Sequence, residues 1–260
     1  MHSYNAPAKV NIFLKIIGTR GNYHEIISRF MRIDSLYDTL SLVPKTHKEF
    51  ELRGSFTCSV QENTIYKAYV HLLEATQSHA LETMMQTYAI DVTKRIPAFA
   101  GLGGGSSDAA TFLKMCNEHA ALGLSIEELS QIGAKVGADV PFFIHGYPSA
   151  NVSGIGEIVE AFDEEAIAME IMTPPGIAIS TPTVYSEYRS HFFNPIDTLT
   201  CNMLAKTPSS HILKRFLCEE ANDLFAPALR CYPELSAYVH QEWFFSGSGS
   251  SFFRPKDLHG

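Results

Sequence analysis

The chain has 260 residues, 45% of them apolar, and its 20 basic and 28 acidic side chains give a net charge of −8 at pH 7, which suits one large or two modest domains. No lysine or arginine cluster is dense enough to bind nucleic acid, and no signal-like N-terminus or run of eighteen apolar residues occurs, so we expect no nucleic-acid partner, no membrane partner and no export. The five cysteines are odd in number and never spaced Cys-x-x-Cys, which argues against a disulfide framework or a zinc site and predicts a cytoplasmic protein.

The first predicted element is a strand over residues 9–16. Apolar residues alternate with others along it and share one face: Val10, Ile12, Leu14 and Ile16. The period of two places Lys9 and Asn11 side by side on the other face, where a cation and an amide can reach the same ligand. Taken alone, these two residues favour a solvated strand face, which is the more common case.

A turn follows, marked by Gly18, Gly21 and Asn22, and a second strand is predicted over residues 26–42. Tyr23 and His24 lie directly after the turn. An aromatic ring and an imidazole in this place can hold a nucleobase, although both residue types also occur at turns for packing or solubility. Residues 63–87 then carry a helical stripe of apolar side chains that predicts a helix packed on the core.

The most informative stretch is residues 97–108, which read Pro-Ala-Phe-Ala-Gly-Leu-Gly-Gly-Gly-Ser-Ser-Asp. A strand is predicted before it, over residues 90–96, and an amphipathic helix after it, over residues 109–122, with Ser106 or Ser107 as the N-cap. Backbone N–H groups and the helix dipole would face a bound anion, so the stretch predicts a phosphate site. A flexible surface linker is the alternative.

Two better-known phosphate loops do not fit this stretch. The P-loop requires a lysine after its second glycine, and here Gly105 is followed by Ser106. The dinucleotide pattern G-x-G-x-x-G, begun at Gly101, would need its third glycine at the position of Ser106. The glycine-rich stretch therefore belongs to neither class.

Further along, Ser125 and Glu128 predict a capping box for a helix that ends near Val136. Asp139 then precedes a strongly apolar run, where an unpartnered carboxylate is costly to desolvate. The residue either caps or pairs with something nearby, or it takes part in chemistry. We expect a domain boundary near residue 150.

In the second half, residues 171–172 and 177–182 predict two strands around a turn of prolines and glycine. Near the end, Ser246-Gly247-Ser248-Gly249-Ser250 lies between two pairs of phenylalanines and predicts a hairpin with a glycine turn. A hairpin without any functional role is the alternative.

Five stretches together resemble the GHMP small-molecule kinases, named for galactokinase, homoserine, mevalonate and phosphomevalonate kinases. They are the glycine-rich stretch itself and residues 7–14, 23–25, 137–143 and 245–250, so that the resemblance spans nearly the whole chain. It implies an α+β, two-domain GHMP kinase fold. An N-terminal domain like that of ribosomal protein S5, with the ATP phosphate loop, would cover residues 1–150, and a C-terminal ferredoxin-like α/β sandwich domain residues 151–260.

The resemblance also implies roles for individual residues. Asp139 would be the catalytic base that takes a proton from the acceptor hydroxyl, and Lys9 would assist it as a neighbouring cation. The phosphates of ATP would be bound by Pro97, Ala98, Gly101, Leu102, Gly103, Gly104, Gly105, Ser106 and Ser107. Asn63, Tyr66 and Lys94 lie where the family builds its adenosine pocket. Mg²⁺ would accompany ATP, and the sequence leaves its protein ligands open.

Within the family, the closest resemblance is to a member of the non-mevalonate isoprenoid precursor pathway that phosphorylates a small molecule carrying a cytidine diphosphate group. It implies that this substrate is bound by Asn11, Tyr23, His24, Tyr185 and Gly247. Tyr185 stands where the family has a phenylalanine that stacks on the cytosine, and a phenol offers the same π-face. A monomer or homodimer is expected. The alternatives are another GHMP small-molecule kinase, or a nucleotide-binding module without catalysis on the same fold.

Overall fold

The structure, a computed structural model, describes residues 3–256. The chain forms two compact units that alternate along the sequence. The first unit contains, among the described residues, 3–8, followed by Asp34–Ile96 and Gly103–Gly146. The second contains Lys9–Ile33, Pro97–Leu102 and, among the described residues, 147–256. Because the units alternate, they do not test the predicted boundary near residue 150, which stays a prediction.

Two long strands open the chain, β1 (Ser3–Arg20) and β2 (Tyr23–Pro44), and they pair with each other. Both predicted strands are confirmed, and both are longer than predicted. From Ala8 to Leu14 every residue of β1 is buried, whichever face it lies on. Lys9 and Asn11 are therefore not part of a solvated strand face.

In the first unit, the last part of β2 pairs antiparallel with β4 (Tyr88–Thr93), so that Thr39 faces Thr93 and Pro44 faces Tyr88. A short strand, β3 (Leu52–Arg53), runs parallel to β4. The helices of this unit are α1 (Thr64–Thr76), α2 (His79–Thr87), α3 (Gly104–His119), α4 (Ile126–Val136) and α5 (Val140–His145).

The predicted single helix over residues 63–87 is wrong in its continuity, because the chain breaks it into α1 and α2. Gln77 takes a left-handed conformation with φ of 47°, and Ser78 then caps α2 by accepting a hydrogen bond from the backbone N–H of Leu81. The predicted strand over residues 90–96 also ends early, at Thr93. The N–H groups of Arg95 and Ile96 bond to a carboxylate, that of Asp38, instead of a neighbouring strand.

The start of α3 differs from the prediction as well. The helix begins at Gly104, and its N-cap is Gly103, with φ of 73° and no side-chain cap. Ser106 and Ser107 are therefore wrong as N-caps, because they already lie in the first turn. By contrast, the predicted capping box of Ser125 and Glu128 is confirmed at the start of α4, and that helix ends at Gly137.

In the second unit, Ile26–Met31 of β2 pair antiparallel with β5 (Ser149–Gly154), which pairs with β6 (Ile158–Ala161). A separate sheet has β9 (Phe252–Pro255) between β7 (Met169–Met172) and β8 (Phe244–Phe245). The predicted hairpin near the end of the chain is confirmed, with Phe244 facing Phe253.

The helices of this unit are α6 (Thr181–Glu187), α7 (Thr198–Lys206), α8 (Ser209–Arg215), α9 (Cys218–Ala221) and α10 (Phe225–Cys231), with a π-helical turn at Tyr188–Phe192 and a 3₁₀ turn at Pro233–Tyr238. The predicted strand over residues 177–182 is wrong. Ser180 caps α6 by accepting from the N–H of Thr183, and Pro182 is tolerated in a first helical turn.

The core of the second unit is formed by apolar side chains from β1, β2 and the helices around α6 and α10. Its buried members include Leu14, Ile26, Val184, Leu224, Phe225, Phe245 and Phe252. Strands and helices are thus mixed in both units, and the α+β class is confirmed. No helix within residues 3–256 has both the length and the apolar composition that a membrane crossing requires.

Candidate active site

Lys9 lies on β1 in the second unit with only 3% of its surface exposed. Its ammonium donates hydrogen bonds to Asn11 Oδ1 at 2.6 Å and to the carbonyl of Gly101 at 3.0 Å, and it lies 4.6 Å from the centre of the Phe30 ring. Asn11 in turn donates to the hydroxyl of Ser28 at 2.9 Å. The predicted pair is therefore held by a buried polar network that fixes both side chains.

The predicted glycine turn at residues 246–250 lies against the same carbonyl group, that of Gly101. Ser246 Oγ donates to the carbonyl oxygen of Gly101 at 2.9 Å, and a Cβ built on Gly101, where φ is 72°, would be 2.0 Å from the carbonyl oxygen of Ser246. Only glycine fits that approach. A Cβ on Gly247 would be 3.2 Å from Asn11 Oδ1 and 3.5 Å from Lys9 Nζ. The structure thus brings together four residues predicted from separate stretches.

Asn222, which the sequence analysis did not single out, fixes the position of this turn. Its amide donates to the carbonyls of Phe245 and Gly247, both at 2.9 Å, while its Oδ1 accepts from the N–H of Leu224. The residue is 2% exposed. An asparagine before an acidic residue at a helix start gave no sequence signal for this role.

The predicted base-binding residues are arranged around His24. Its ring centre is 5.1 Å from that of Tyr185 on α6, with the planes 32° apart, and 5.8 Å from that of Tyr188 at 81°. Burial and then the charge of Arg189 lower the pKa of His24, so the imidazole is neutral at pH 7. Tyr23 is 64% exposed. The structure therefore brings two of the three predicted rings, His24 and Tyr185, into contact as a tilted pair.

The predicted phosphate-binding stretch divides between the two units. Pro97 and Ala98 are exposed in the second, and Leu102 accepts a hydrogen bond from the backbone N–H of Lys9 at 3.0 Å. In the first unit, Gly103–Ser107 form the beginning of α3, with Ser107 fully buried. The N–H groups of a first helical turn have no partner inside the helix, so this end of α3 can bind an anion.

Asp139 stands before α5 and also belongs to the first unit. It is half-buried, and its side chain makes no capping hydrogen bond with that helix. A Cβ built on Gly137, two residues earlier, would lie 3.7 Å from Ser106 Oγ. The segment before Asp139 therefore lies beside the start of α3. Lys9 belongs to the other unit, and its pairing with Asp139 stays a prediction.

The residues predicted for the adenosine pocket all lie in the first unit. Asn63 is the N-cap of α1 and accepts from the N–H of Ile65 at 2.9 Å. Tyr66 packs edge-on against Phe50 at 5.2 Å between ring centres, and it lines a pocket of about 430 Å³ with Tyr69. Their contact with adenosine stays a prediction.

Lys94 is part of a buried ion cluster that the sequence reasoning missed. Its ammonium donates to Asp38 Oδ2 and, at 2.6 Å, to Asp108 Oδ2. The side chains of Asp38 and Asp108 are 0% and 4% exposed. Burial raises the pKa of Asp108 to about 7, although Lys94 opposes the rise. For Lys94 burial lowers the pKa, but the two carboxylates outweigh burial and raise it overall.

Within residues 3–256, no group of three or more histidine, cysteine, aspartate or glutamate side chains is placed to hold a metal ion. The described part of the chain therefore offers no preformed carboxylate cage of the kind that binds a divalent cation by itself.

Residues 63–147 match the family model described as the GHMP kinase N-terminal domain. Two curated relatives, both named 4-diphosphocytidyl-2-C-methyl-D-erythritol kinase, match nearly the whole chain. The one from Sulfurimonas denitrificans is 61% identical over 99% of this chain and 98% of its own length. The one from a Sulfurovum species is 46% identical over 99% of this chain and 100% of its own.

A solved structure, described as the crystal structure of 4-(cytidine 5'-diphospho)-2C-methyl-D-erythritol kinase, has the same fold. It superposes with a TM-score of 0.70 at 30% identity, over 98% of this chain and 90% of that chain. This likeness confirms the predicted two-domain α+β fold of the GHMP kinases.

Proposed function

Since the chain belongs to the GHMP kinase family, and within it to the 4-diphosphocytidyl-2-C-methyl-D-erythritol kinases, we propose that it uses ATP to phosphorylate the 2-hydroxyl of 4-diphosphocytidyl-2-C-methyl-D-erythritol in the non-mevalonate isoprenoid precursor pathway. The observation that carries the proposal is the near-complete match along the chain to relatives of that name. The buried network of Lys9, Asn11 and the Gly101 carbonyl supports it, because a phosphoryl-transfer site depends on fixed positions of this kind.

The transfer requires positioning and charge neutralisation more than covalent help from the protein. In the proposed reaction, the 2-hydroxyl oxygen forms a bond to the γ-phosphorus, the bond from that phosphorus to the β-γ bridging oxygen breaks, and ADP leaves. Asp139 accepts the hydroxyl proton. Lys9 neutralises charge as it develops on the transferred group.

The γ- and β-phosphates are proposed to bind at the glycine-rich stretch, from Pro97 to Ser107, where the unpaired N–H groups at the start of α3 provide donors. Mg²⁺ is part of the proposal as a companion of the triphosphate, whose charge it would partly neutralise. Because the described side chains form no metal cluster, phosphate oxygens would supply most of its ligands.

The cytidine diphosphate half is proposed to lie against His24 and Tyr185. The tilted pair of rings offers an aromatic face to a pyrimidine, and the neutral imidazole of His24 can donate or accept a hydrogen bond. Asn11, Tyr23 and Gly247 complete the proposed substrate contacts. We place the activity in the cytoplasm, because five free thiols suit a reducing compartment, and we expect a monomer or homodimer.

The test is phosphate transfer from ATP to 4-diphosphocytidyl-2-C-methyl-D-erythritol, with mevalonate and homoserine as control acceptors. We expect transfer to the first acceptor only. Faster transfer to either control would favour another GHMP kinase, and ATP binding without transfer to any acceptor would favour a non-catalytic module.

The role of Asp139 is tested by Asp139→Asn, which keeps the size of the side chain but cannot accept the proton. We expect kcat to fall roughly 10²- to 10⁴-fold while ATP still binds. Lys9→Met, measured beside it, should lower kcat in the same way. Undiminished turnover by Asp139→Asn would refute its role as the base.

A further inference from the structure

The glycine-rich stretch is tied at its beginning to a fully buried carboxylate. Asp38 Oδ1 accepts hydrogen bonds from the backbone N–H of Arg95 at 2.5 Å and of Ile96 at 2.9 Å. These two residues come directly before Pro97. The conformation of the chain as it enters the stretch is therefore set by Asp38, whose side chain has no exposed surface.

The end of the stretch is tied to the same cluster. Lys94 donates to the second oxygen of Asp38 and, at 2.6 Å, to Asp108, which lies in the second turn of α3. A Cβ built on Gly104, the first residue of α3, would lie 3.6 Å from Asp38 Oδ2 and 2.9 Å from Ile96 Cγ2. The start of the helix is thus packed directly on the residues that fix the beginning of the stretch.

We propose that Asp38, Lys94 and Asp108 act as positioning residues that hold the two ends of the glycine-rich stretch at a fixed separation, so that its N–H groups meet the phosphates of ATP. The proposal rests on the proposed function, since it assigns the stretch to ATP. It also gives Lys94 a role that acts through the backbone rather than through contact with adenosine.

Geometry favours this role for Lys94. Its ammonium is committed to two carboxylates, and only about one-fifth of its side chain is exposed. Asp38 cannot touch a nucleotide, because it is completely buried. If Asp38 nevertheless affects ATP binding, the effect has to pass through the backbone N–H groups of residues 95–96 or through Lys94.

The test measures equilibrium binding of a non-hydrolysable ATP analogue and hydrogen exchange of the amides of Arg95 and Ile96, which are bonded to Asp38, and both readouts are independent of the acceptor. We expect Lys94→Met and Asp38→Asn each to raise the Kd of the analogue about 10-fold or more, because each removes a charge-assisted hydrogen bond from the cluster. Exchange of these amides should rise in both variants.

Asp108→Ala provides a second route, because it releases α3 without uncovering the charge of Asp38. It should also raise the Kd of the ATP analogue. Asp108→Asn, which keeps an acceptor for Lys94, should bind the analogue nearly as tightly as the wild type. The matched control is Glu164→Gln, which alters a different buried ion pair, that of Arg29 in the second unit. It should lower the urea midpoint and leave the Kd unchanged.

Three results would overturn the proposal. One is an unchanged Kd in Asp38→Asn with a raised Kd in Lys94→Met, which would mean that Lys94 contacts the nucleotide itself. Another is an equal rise in Glu164→Gln, which would mean a general loss of stability. The third is unchanged exchange at Arg95 and Ile96 in every variant. Failure of the proposed function would instead be seen in the wild type, as no transfer to the acceptor.

Discussion

Arg29 in the second unit and Lys94 in the first are both buried cations, but their partners differ. Arg29 pairs with a single carboxylate, that of Glu164, at 3.4 Å. It also donates hydrogen bonds to Asn151 Oδ1 at 2.7 Å and to the carbonyl of Ala205 at 2.9 Å. Its guanidinium also lies 3.3 Å from the centre of the Phe162 ring. Lys94 faces two carboxylates. The first cluster is balanced in charge, and the second is not.

The difference decides how each cluster responds to pH. Burial lowers the pKa of Arg29 to about 10, which still leaves it charged at neutral pH, so that its cluster keeps one charge state. In the other cluster, burial raises the pKa of Asp108 to about 7, and Asp108 Oδ1 has no hydrogen-bond partner among the described residues. The Arg29 cluster therefore keeps the same charge around neutral pH, whereas the Lys94 cluster gains or loses a proton there.

The largest effect is expected from Arg29→Met, which leaves Glu164 without its cation and removes a hydrogen-bond donor from the carbonyls of Leu204, Ala205 and Thr207. Removing one partner of a buried ion pair costs about 3–5 kcal/mol of unfolding free energy. Urea unfolding at pH 7 measures it. Since Arg29 lies outside the glycine-rich stretch, the Kd for the ATP analogue should stay at its wild-type value in the folded fraction. A loss below about 1 kcal/mol would show that the guanidinium is not the anchor of its cluster.

A smaller effect is expected from the titration of Asp108. Its pKa is raised in the folded state, so the stability that it contributes is complete below the unfolded pKa near 4 and is lost as the pH rises through about 7. Between pH 6 and pH 8 the wild type should lose about 1 kcal/mol of unfolding free energy from this group.

The variant Asp108→Asn removes the titrating group. Its unfolding free energy should therefore fall less between pH 6 and pH 8 than that of the wild type. Urea midpoints at the two pH values give the measurement. Glu164→Gln, which leaves Asp108 in place, should keep the wild-type decline. An undiminished decline in Asp108→Asn would assign the titration to another group.

The smallest effect is expected at an exposed pair, Arg254 and Glu170, which are 2.8 Å apart with side chains 40% and 47% exposed. Here Glu170→Gln makes the same chemical change as Glu164→Gln but in contact with water. Exposed ion pairs contribute from about 0 to 1 kcal/mol, and we expect less than about 0.5 kcal/mol from thermal unfolding. If Glu170→Gln lost as much unfolding free energy as Glu164→Gln, burial would not be the reason why the two ion pairs differ.

The sequence was most informative where chemistry and local pattern coincide. The alternation along β1, the capping box at Ser125 and the hairpin near Phe244 depend on neighbouring residues, so the pattern alone predicts them. The glycine-rich stretch was recognisable for the same reason. Its helix starts earlier than predicted because Gly103, with a left-handed conformation, ends the turn before either serine.

The rest depended on contacts between distant parts of the chain. Lys94 meets a carboxylate 56 residues earlier and another 14 residues later, and no spacing rule relates the three. The break at Gln77 was equally invisible, since neither glycine nor proline marks it. Ser180 and Pro182 did carry a helix-start signal, but the apolar run before them favoured a strand in our reading.

The alternation of the two units along the chain has a consequence for synthesis on the ribosome. The second unit begins before most of the first and ends after it, so Ile26–Met31 of β2 have no β5 to pair with until more than 100 residues later, when Ser149–Gly154 are made. Until then one edge of this strand is unpaired in the nascent chain, and unpaired strand edges associate readily with other strands. Translation that slows before Ser149 would prolong this exposure, and a protein truncated there would keep it permanently.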